Sequence, residues 1–332
     1  MDVRTVLSKD AIPSIDEPQF GDAHVGDADD ELLVLDAEGE PARAYPIRIL
    51  NFHEIVNDRI AGEPVAVTWC PLCASAVVYE RTVDGRELTF GVSGKLADDD
   101  LVMYDRETGS EWKQSLGECI DGPLAGAELT VRPAGIVPWE TFAAEHPGGV
   151  VLQPPHTESE AASDTDEPAP VEYGKDPYRE YFEAEGFGLG AHRDGSGRSW
   201  DRDDLDPKTV VLGIQRDGAA VAYPITRVRD QGGVVTGTVG EAAVVVAAAD
   251  GGIHAYENPG YEFERGADGR LRADGTTWHP ATGRSEDGRR LVRVPARRLF
   301  AFTWQDDHGP DAFYRESRQS ASGSYGNRRF PR

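Results

Sequence analysis

The chain has 332 residues, of which 39% are hydrophobic, and its formal net charge of −25 gives a pI of about 4.6. This length is enough for two domains with cores of their own. The strong negative charge repels the phosphates of nucleic acids and anionic lipid headgroups, so neither is expected as a partner. No segment approaches the ~18 consecutive apolar residues of a membrane span, so no membrane insertion is expected.

The cationic side chains are mostly arginines, because lysine contributes only five of the 34. An acidic, lysine-poor composition is typical of a halophilic protein, in whose cytoplasm salt screens the self-repulsion of the charge. The first 20 residues lack the basic, apolar and small-residue regions of a secretory signal. The chain also has three cysteines, an odd number. These features together predict a cytoplasmic protein with reduced thiols.

The composition changes along the chain and divides it into five regions. The predicted regions are an irregular N-terminal arm (1–30), module 1 (31–153), an acidic flexible linker (154–172), module 2 (173–315) and a disordered tail (316–332). The linker and the tail are assigned because they are polar and lack apolar periodicity.

The two modules carry similar patterns, which predicts an internal duplication. Ala-Tyr-Pro-Ile occurs at residues 44–47 and again at 222–225, and a hairpin pattern at 54–67 returns at 233–246. Short β-branched runs separated by turn residues predict strands throughout, with helices confined to stretches near 47–52 and 139–145. The predicted fold class is therefore α+β and predominantly β, with two similar β-rich domains.

The most distinctive motif is Trp-Cys-Pro-Leu-Cys at residues 69–73. Apolar runs at 65–67 and 77–79 predict a strand on each side, so Cys70 and Cys73 are expected at a tight turn. Pro71 fixes its own φ there and could help to aim both sulfurs at one point. Module 2 has Ala-Ala-Ala-Asp-Gly-Gly at 247–252 instead, so the fold itself does not require thiols at this turn.

Two further side chains of module 1 have no counterpart in module 2. His53 precedes the first hairpin, where module 2 has Gln231 followed by two glycines, and Met103 lies in a predicted strand, whereas module 2 contains no methionine. A nearby run of three aspartates, 98–100, could bind a divalent cation, but in so acidic a chain we interpret it as a solvated turn.

Several motifs follow one another in an order that resembles the family called domain of unknown function 3179. They are residues 44–46, 51–58, 68–73, 89–94, 101–110 and 122–126. The resemblance covers both modules and implies no established activity; many relatives in the family look exported, whereas this chain shows no export signal. It also implies glycine at position 74 and a small non-thiol residue at position 119, where this chain has Ala74 and Cys119.

The thiols, imidazole and thioether of module 1 favour a site for one transition-metal ion. Copper would be held by Cys70 and Cys73 together with His53 and Met103, because soft ligands suit that metal. Zinc is the competing metal, with Cys70, Cys73, His53 and Cys119 as its four ligands.

Two other functions stay open at this point. Trp-Cys-x-x-Cys also resembles the thioredoxin active site, which would make the chain a thiol–disulfide oxidoreductase, although the residues after Cys73 predict a strand where thioredoxin has a helix. The third possibility is a non-catalytic structural or binding module. No phosphate loop or dinucleotide fingerprint occurs, so no nucleotide cofactor is expected.

Overall fold

The computed structural model describes residues 1–36, 39–163, 165, 167–193 and 195–315, so the tail predicted at 316–332 lies outside the described residues. Strands greatly outnumber helices in these ranges, and the helices are short. The prediction of a predominantly β fold is therefore confirmed. Within the same ranges, no helix has the length and apolar character that crossing a membrane requires.

We call residues up to 172 the first half and those from 173 the second half. The strands of the first half are β1 (Val3–Thr5), β2 (Phe20–Gly21), β3 (Glu31–Leu35), β4 (Arg43–Pro46), β5 (Ile55–Ile60), β6 (Glu63–Cys70), β7 (Ser75–Glu80), β8 (Thr82–Val83), β9 (Arg86–Glu87), β10 (Phe90–Ala97), β11 (Asp100–Asp105), β12 (Glu111–Lys113), β13 (Glu118–Asp121), β14 (Val131–Arg132), β15 (Gly135–Pro138), β16 (Val150–Leu152), β17 (Glu158–Ser159) and β18 (Ala169–Pro170). Its helices are α1 (Ile47–Leu50), α2 (Trp139–Glu145) and a 3₁₀ turn (Glu160–Ala162).

The second half contains fewer strands and more helix. Its strands are β19 (Val210–Arg216), β20 (Ala219–Pro224), β21 (Val234–Val239), β22 (Ala242–Ala249), β23 (Gly252–Glu257), β24 (Glu264–Arg265), β25 (Leu271–Ala273), β26 (Thr276–Trp278) and β27 (Arg297–Phe300). Its helices are α3 (Arg179–Glu183), α4 (Gly188–Arg193), α5 (Ile225–Asp230) and α6 (Ala301–His308).

One sheet contains strands from both halves. Its order is β20-β19-β27-β7-β6-β5, and β14 also pairs with β7. The two halves meet where β27 pairs with β7, with Arg298 opposite Ala76. Because α6 follows β27 directly, this pairing also brings α6 next to the first half.

The order of elements in the two halves is alike. The first half contains the series β3, β4, α1, β5, β6, β7, and the second half contains the corresponding series β19, β20, α5, β21, β22, β23. The pair β15–α2 of the first half likewise corresponds to the pair β27–α6 of the second. The two halves also contact each other at two corresponding places. Strand β27 of the second half lies against β7 of the first, and β15 of the first half lies against β23 of the second. The duplication itself and its boundaries stay a prediction.

The predicted arm and linker contain more regular structure than their composition indicates. In the arm, β1 pairs with β10 and β2 pairs with β16. In the linker, β17 pairs with β18, and the buried Ser159 hydroxyl donates to the carbonyl of Phe52 over 2.8 Å. The two arm strands hydrogen-bond to the edges of sheets, and the two linker strands hydrogen-bond to each other. The local composition does not reveal these pairings.

Trp304 is one of the residues that fix helix α6 to the second half. The Trp304 ring packs directly on Gly213 of β19, and a Cβ atom at position 213 would overlap the ring. The indole nitrogen of Trp304 donates to the carbonyl of Ala312 over 2.8 Å. The absence of a side chain at Gly213 therefore sets how closely α6 approaches the sheet.

We expect Gly213→Ala to lower the free energy of unfolding by about 1–3 kcal/mol, because the added methyl group overpacks the core against Trp304. Gly174→Ala is the matched control, because no atom lies within 4 Å of a Cβ built there. Urea denaturation followed by tryptophan fluorescence measures both variants. Equal stability of Gly213→Ala and the wild type would contradict this account of how α6 is placed.

Candidate metal centre

Cys70 and Cys73 lie in a hairpin of the shared sheet. Strand β6 ends at Cys70, which pairs with Ser75, the first residue of β7. The four residues 71–74 connect them, and the Ala74 amide donates to the Pro71 carbonyl over 3.2 Å. Ala74 has a φ of 42°, in the left-handed region that favours glycine, which explains why glycine suits this position. The strand–turn–strand prediction for this motif is confirmed.

The matching hairpin of the second half has a shorter connection. There Ala249 pairs with Gly252, so two residues instead of four join β22 to β23. Ala249 occupies the last pair of its hairpin as Cys70 does in β6, whereas the shorter turn leaves no position that matches Cys73.

Asp100 comes to the thiols from another hairpin. Strands β10 and β11 pair up to Ala97 and Asp100, so residues 98 and 99 form a two-residue turn. Asp98 and Asp99 have φ values of 53° and 67°, as a type I′ turn requires at both positions. The sequence interpretation of 98–100 as a solvated turn is thus incomplete, because Asp100 is fully buried.

The two sulfurs and a carboxylate oxygen of Asp100 all lie within 4.8 Å of one another. The three residues are at most 2% exposed. Two thiols and a carboxyl group at these separations could supply three ligands to a metal ion that accepts sulfur and oxygen. We call Cys70, Cys73 and Asp100 the thiol–carboxylate group.

Burial opposes ionisation of every member of this group. It raises the pKa of the Cys70 thiol, raises that of Cys73 well above its usual value, and raises the pKa of Asp100 to about 6. Three negative charges at one buried point are costly without a cation. Without a metal the thiols therefore keep their protons, and the Cys73 thiol donates to the Asp99 carbonyl over 3.4 Å.

The carboxyl group of Asp100 is held on one side only. Its Oδ2 accepts from the backbone amide of Ser115 over 2.8 Å. Its Oδ1 is buried and has no hydrogen-bond partner among the described residues. A buried oxygen without a partner costs free energy unless something else binds it, so Oδ1 is available as a ligand.

Backbone contacts from the second half hold the loop at 71–74. Three consecutive carbonyls of the loop accept hydrogen bonds. The donors are the Tyr181 hydroxyl to Leu72 (2.6 Å), the Phe300 amide to Cys73 (2.8 Å) and the Arg298 guanidinium to Ala74 (3.3 Å). The positions of both sulfurs thus depend on residues more than 100 positions away in the sequence.

His53 is not part of the thiol–carboxylate group. Its Nδ1 donates to the carbonyl of Pro13 over 2.8 Å, and its Nε2 lies 2.7 Å from the Tyr173 hydroxyl. Burial lowers the pKa of this histidine to about 4. This neutral ring, with both nitrogens in hydrogen bonds, joins the arm and the first residue of the second half to the segment after α1, and the structure does not bring it to the sulfurs.

Met103 and Cys119 lie in the sheet formed by β10 to β13. Met103 is buried, and because side chains alternate along β11 it points to the face opposite Asp100. Cys119 is opposite Trp112, and its thiol donates to the Asp121 carbonyl over 3.3 Å. Neither residue is brought to Cys70 and Cys73 as the sequence-based ligand sets require.

The sequence interpretation places Asp100 in a solvated turn, although one signal sets it apart from its two neighbours. Two aspartates of the triplet suit a two-residue hairpin turn, and the third then begins a strand of the pattern Asp-Leu-Val-Met-Tyr. A carboxylate at the start of a buried strand needs a partner. The sequence does not indicate that the turn at 98–99 lies beside the turn at 71–74.

The geometry differs from that of a thiol–disulfide exchange site. Cys73 is followed by strand β7 rather than a helix, and burial raises the pKa of both thiols. Exchange sites lower the pKa of the attacking thiol, usually at a helix N-terminus. The structure therefore does not favour the exchange hypothesis.

With metal removed by a chelator, we expect Cys70, Cys73 and Cys119 to react slowly with iodoacetamide at neutral pH, because all three are buried with raised pKa values. Guanidinium should increase the rate on the order of 100-fold by exposing them. Peptide mass spectrometry reports each site. Fast native labelling of Cys70 or Cys73 alone would contradict this and favour exchange chemistry.

A second buried carboxyl group, that of Glu54, lies near the thiol–carboxylate group. Glu54 is 7% exposed and has a left-handed φ of 59°. Its backbone carbonyl accepts from the Trp69 amide over 2.8 Å. Burial, with smaller contributions from Glu160 and Asp100, raises its pKa to about 8. Between its unfolded pKa near 4.5 and this folded value, only the unfolded chain ionises, so this group's contribution to stability falls as pH rises.

We expect Glu54→Gln to stabilise the metal-free protein by about 2–4 kcal/mol at pH 8 and to leave it nearly unchanged at pH 4. Glu63→Gln is the control, because Glu63 is exposed at the start of β6. Urea denaturation at a series of pH values measures the difference. A gain that does not depend on pH would show that Glu54 does not ionise as proposed.

Comparison with known proteins gives one family. Searches among curated proteins and among solved structures return no match. The sequence profile described as "Protein of unknown function (DUF3179)" matches residues 9–313, which include both halves and every residue of the thiol–carboxylate group. The chain therefore belongs to the DUF3179 family, as its motifs indicated.

Proposed function

We propose that the chain is a transition-metal-binding protein that holds one zinc ion with Cys70, Cys73 and Asp100. The observation that supports this most strongly is the meeting of two sulfurs and a carboxylate oxygen within 4.8 Å at a fully buried point. Zinc is commonly bound by cysteine sulfur and carboxylate oxygen in four-coordinate sites. A fourth ligand from a small molecule such as water would complete the shell.

The choice of zinc over copper depends on the third ligand. The copper hypothesis needed the thioether of Met103 and the imidazole of His53, and neither joins the group. A carboxylate is a hard ligand that suits borderline metals better than copper(I). With Asp100 in the set, the donors favour zinc.

The charge of the site supports a divalent cation. Two thiolates and a carboxylate would carry three negative charges, which burial disfavours strongly. A zinc ion offsets two of them, and metal binding releases the protons that the thiols otherwise retain. The buried Lys113 ammonium lowers the cost of the third charge, because it favours the ionised form of Asp100.

The proposal includes a duplicated origin for the two halves, with modules at 31–153 and 173–315 and a linker at 154–172. The shared order of elements and the repeated sequence motifs support it. A reducing, cytoplasmic setting is part of the same proposal, and the three free thiols support it.

We expect about one zinc ion per chain after purification without chelator and dialysis, as a tight thiolate site gives. Cys73→Ser and Asp100→Asn should lose it. Cys119→Ser is the matched control, because Cys119 is also a buried free cysteine but lies outside the group. Elemental analysis by mass spectrometry, with a thiol titration alongside, measures all four proteins.

Absence of metal from the wild type, even after exposure to zinc, would contradict the proposed function. Equal loss of metal in Cys119→Ser would contradict the assignment of ligands. Retention of copper in preference to zinc would overturn the choice of metal and leave the site itself standing.

A further inference from the structure

Helix α6 of the second half contacts the thiol–carboxylate group at two points. Thr303 and Asp307 are four residues apart and so lie on the same face of the helix. Thr303 lies against the Cys73 thiol, and Asp307 binds residues next to Asp100. The two contacts reach different members of the group, so α6 spans it.

The contact through Asp307 leads to the carboxylate ligand. Asp307 Oδ2 accepts from the Ser115 hydroxyl over 2.7 Å, while the Ser115 amide donates to Asp100 Oδ2 over 2.8 Å. Asp307 Oδ1 also accepts from the buried Lys113 ammonium over 2.6 Å. Ser115 therefore connects the ligand of the first half to a carboxylate of the second half.

The contact through Thr303 leads to a sulfur ligand. Thr303 is 1% exposed, and within the described ranges its hydroxyl lies beside the Cys73 thiol without making a hydrogen bond of good geometry to any group. A protonated thiol is a poor acceptor, whereas a metal-bound thiolate accepts hydrogen bonds well. Metal binding at Cys73 would thus turn this weak contact with a thiol into a hydrogen bond from the Thr303 hydroxyl to a thiolate.

We propose that α6 completes the metal centre, with Asp307 positioning Asp100 through Ser115 and the Thr303 hydroxyl donating to the thiolate of Cys73. All three ligands come from the first half, and these two supporting groups come from the second. Metal affinity is therefore coupled to the docking of the second half on the first. This inference rests on the proposed zinc site and adds residues that tune it.

The opposite contact between halves provides a natural control. Helix α2 also ends in a carboxylate that reaches the other half, where Glu145 accepts from the Thr282 hydroxyl over 3.4 Å. None of the three cysteines belongs to α2 or to the segment of the second half that carries Thr282. Thr277 supplies a second control, because its buried hydroxyl has no partner within the described residues and it lies in the sheet β24-β25-β26, none of whose strands contains a cysteine.

The test compares Ser115→Ala with Thr282→Ala and Thr303→Val with Thr277→Val. Zinc affinity is measured by competition with a chromophoric chelator, and cobalt(II) absorption reports ligand geometry. Ser115→Ala should weaken zinc binding about 10–100-fold, the usual effect of losing a group that orients a metal ligand. Thr303→Val should weaken zinc binding and shift the sulfur-to-cobalt band, while the melting temperature of the metal-free protein does not fall.

The two control variants should bind zinc with wild-type affinity and give the wild-type cobalt spectrum. Wild-type affinity and spectra in both Ser115→Ala and Thr303→Val would overturn the role of α6 and leave the zinc site standing. Equal weakening by Thr282→Ala would show general loosening of the halves and would also overturn it. A wild type that binds no zinc would overturn both proposals.

Discussion

The pairing of β27 with β7 is the contact on which the candidate centre depends. It joins the halves into one sheet, and the same strand donates its Phe300 amide to the Cys73 carbonyl. Because α6 continues from β27, this register also decides which side chains of the helix face the thiols. A shift by one residue would turn β27 over and remove Arg298 from its contact with Ala74. The thiol-bearing loop is thus folded by the first half and held by the second.

The second constraint is the cost of buried charge. The shared sheet is an apolar environment, yet Asp100, Lys113 and Asp307 are all buried within the contact between halves. Lys113 and Asp307 form a direct ion pair, and despite burial the carboxylates raise the pKa of the lysine. A carboxyl oxygen of Asp100 is left without a partner in the described part of the chain. The proposed metal ion would bind this unpartnered oxygen and offset the buried negative charge.

The sequence predicted the local parts of this site and missed the long-range ones. The strand–turn–strand at 65–79, the helix at 139–145 and the β-rich class followed from side-chain periodicity and turn chemistry, and the structure contains all of them. The prediction of His53 and Met103 as ligands depends on their absence from module 2, which detects a difference between the modules but carries no information about distance. Asp100 and Thr303 lie 27 and 230 residues after Cys73, and only the sheet register brings them to it.

The two hairpin turns show why a likeness between halves does not imply a likeness of function. The turn after Ala249 has two residues and the turn after Cys70 has four, and the extra length supplies both Cys73 and the left-handed Ala74. At the second contact between the halves, Glu145 of α2 accepts a hydrogen bond from Thr282, as Asp307 of α6 accepts one from Ser115 at the first. The contact between halves therefore exists with or without thiols. A metal site built at one of two such contacts would use an interface that already stabilises the fold, and it would need only a longer turn and a buried carboxylate.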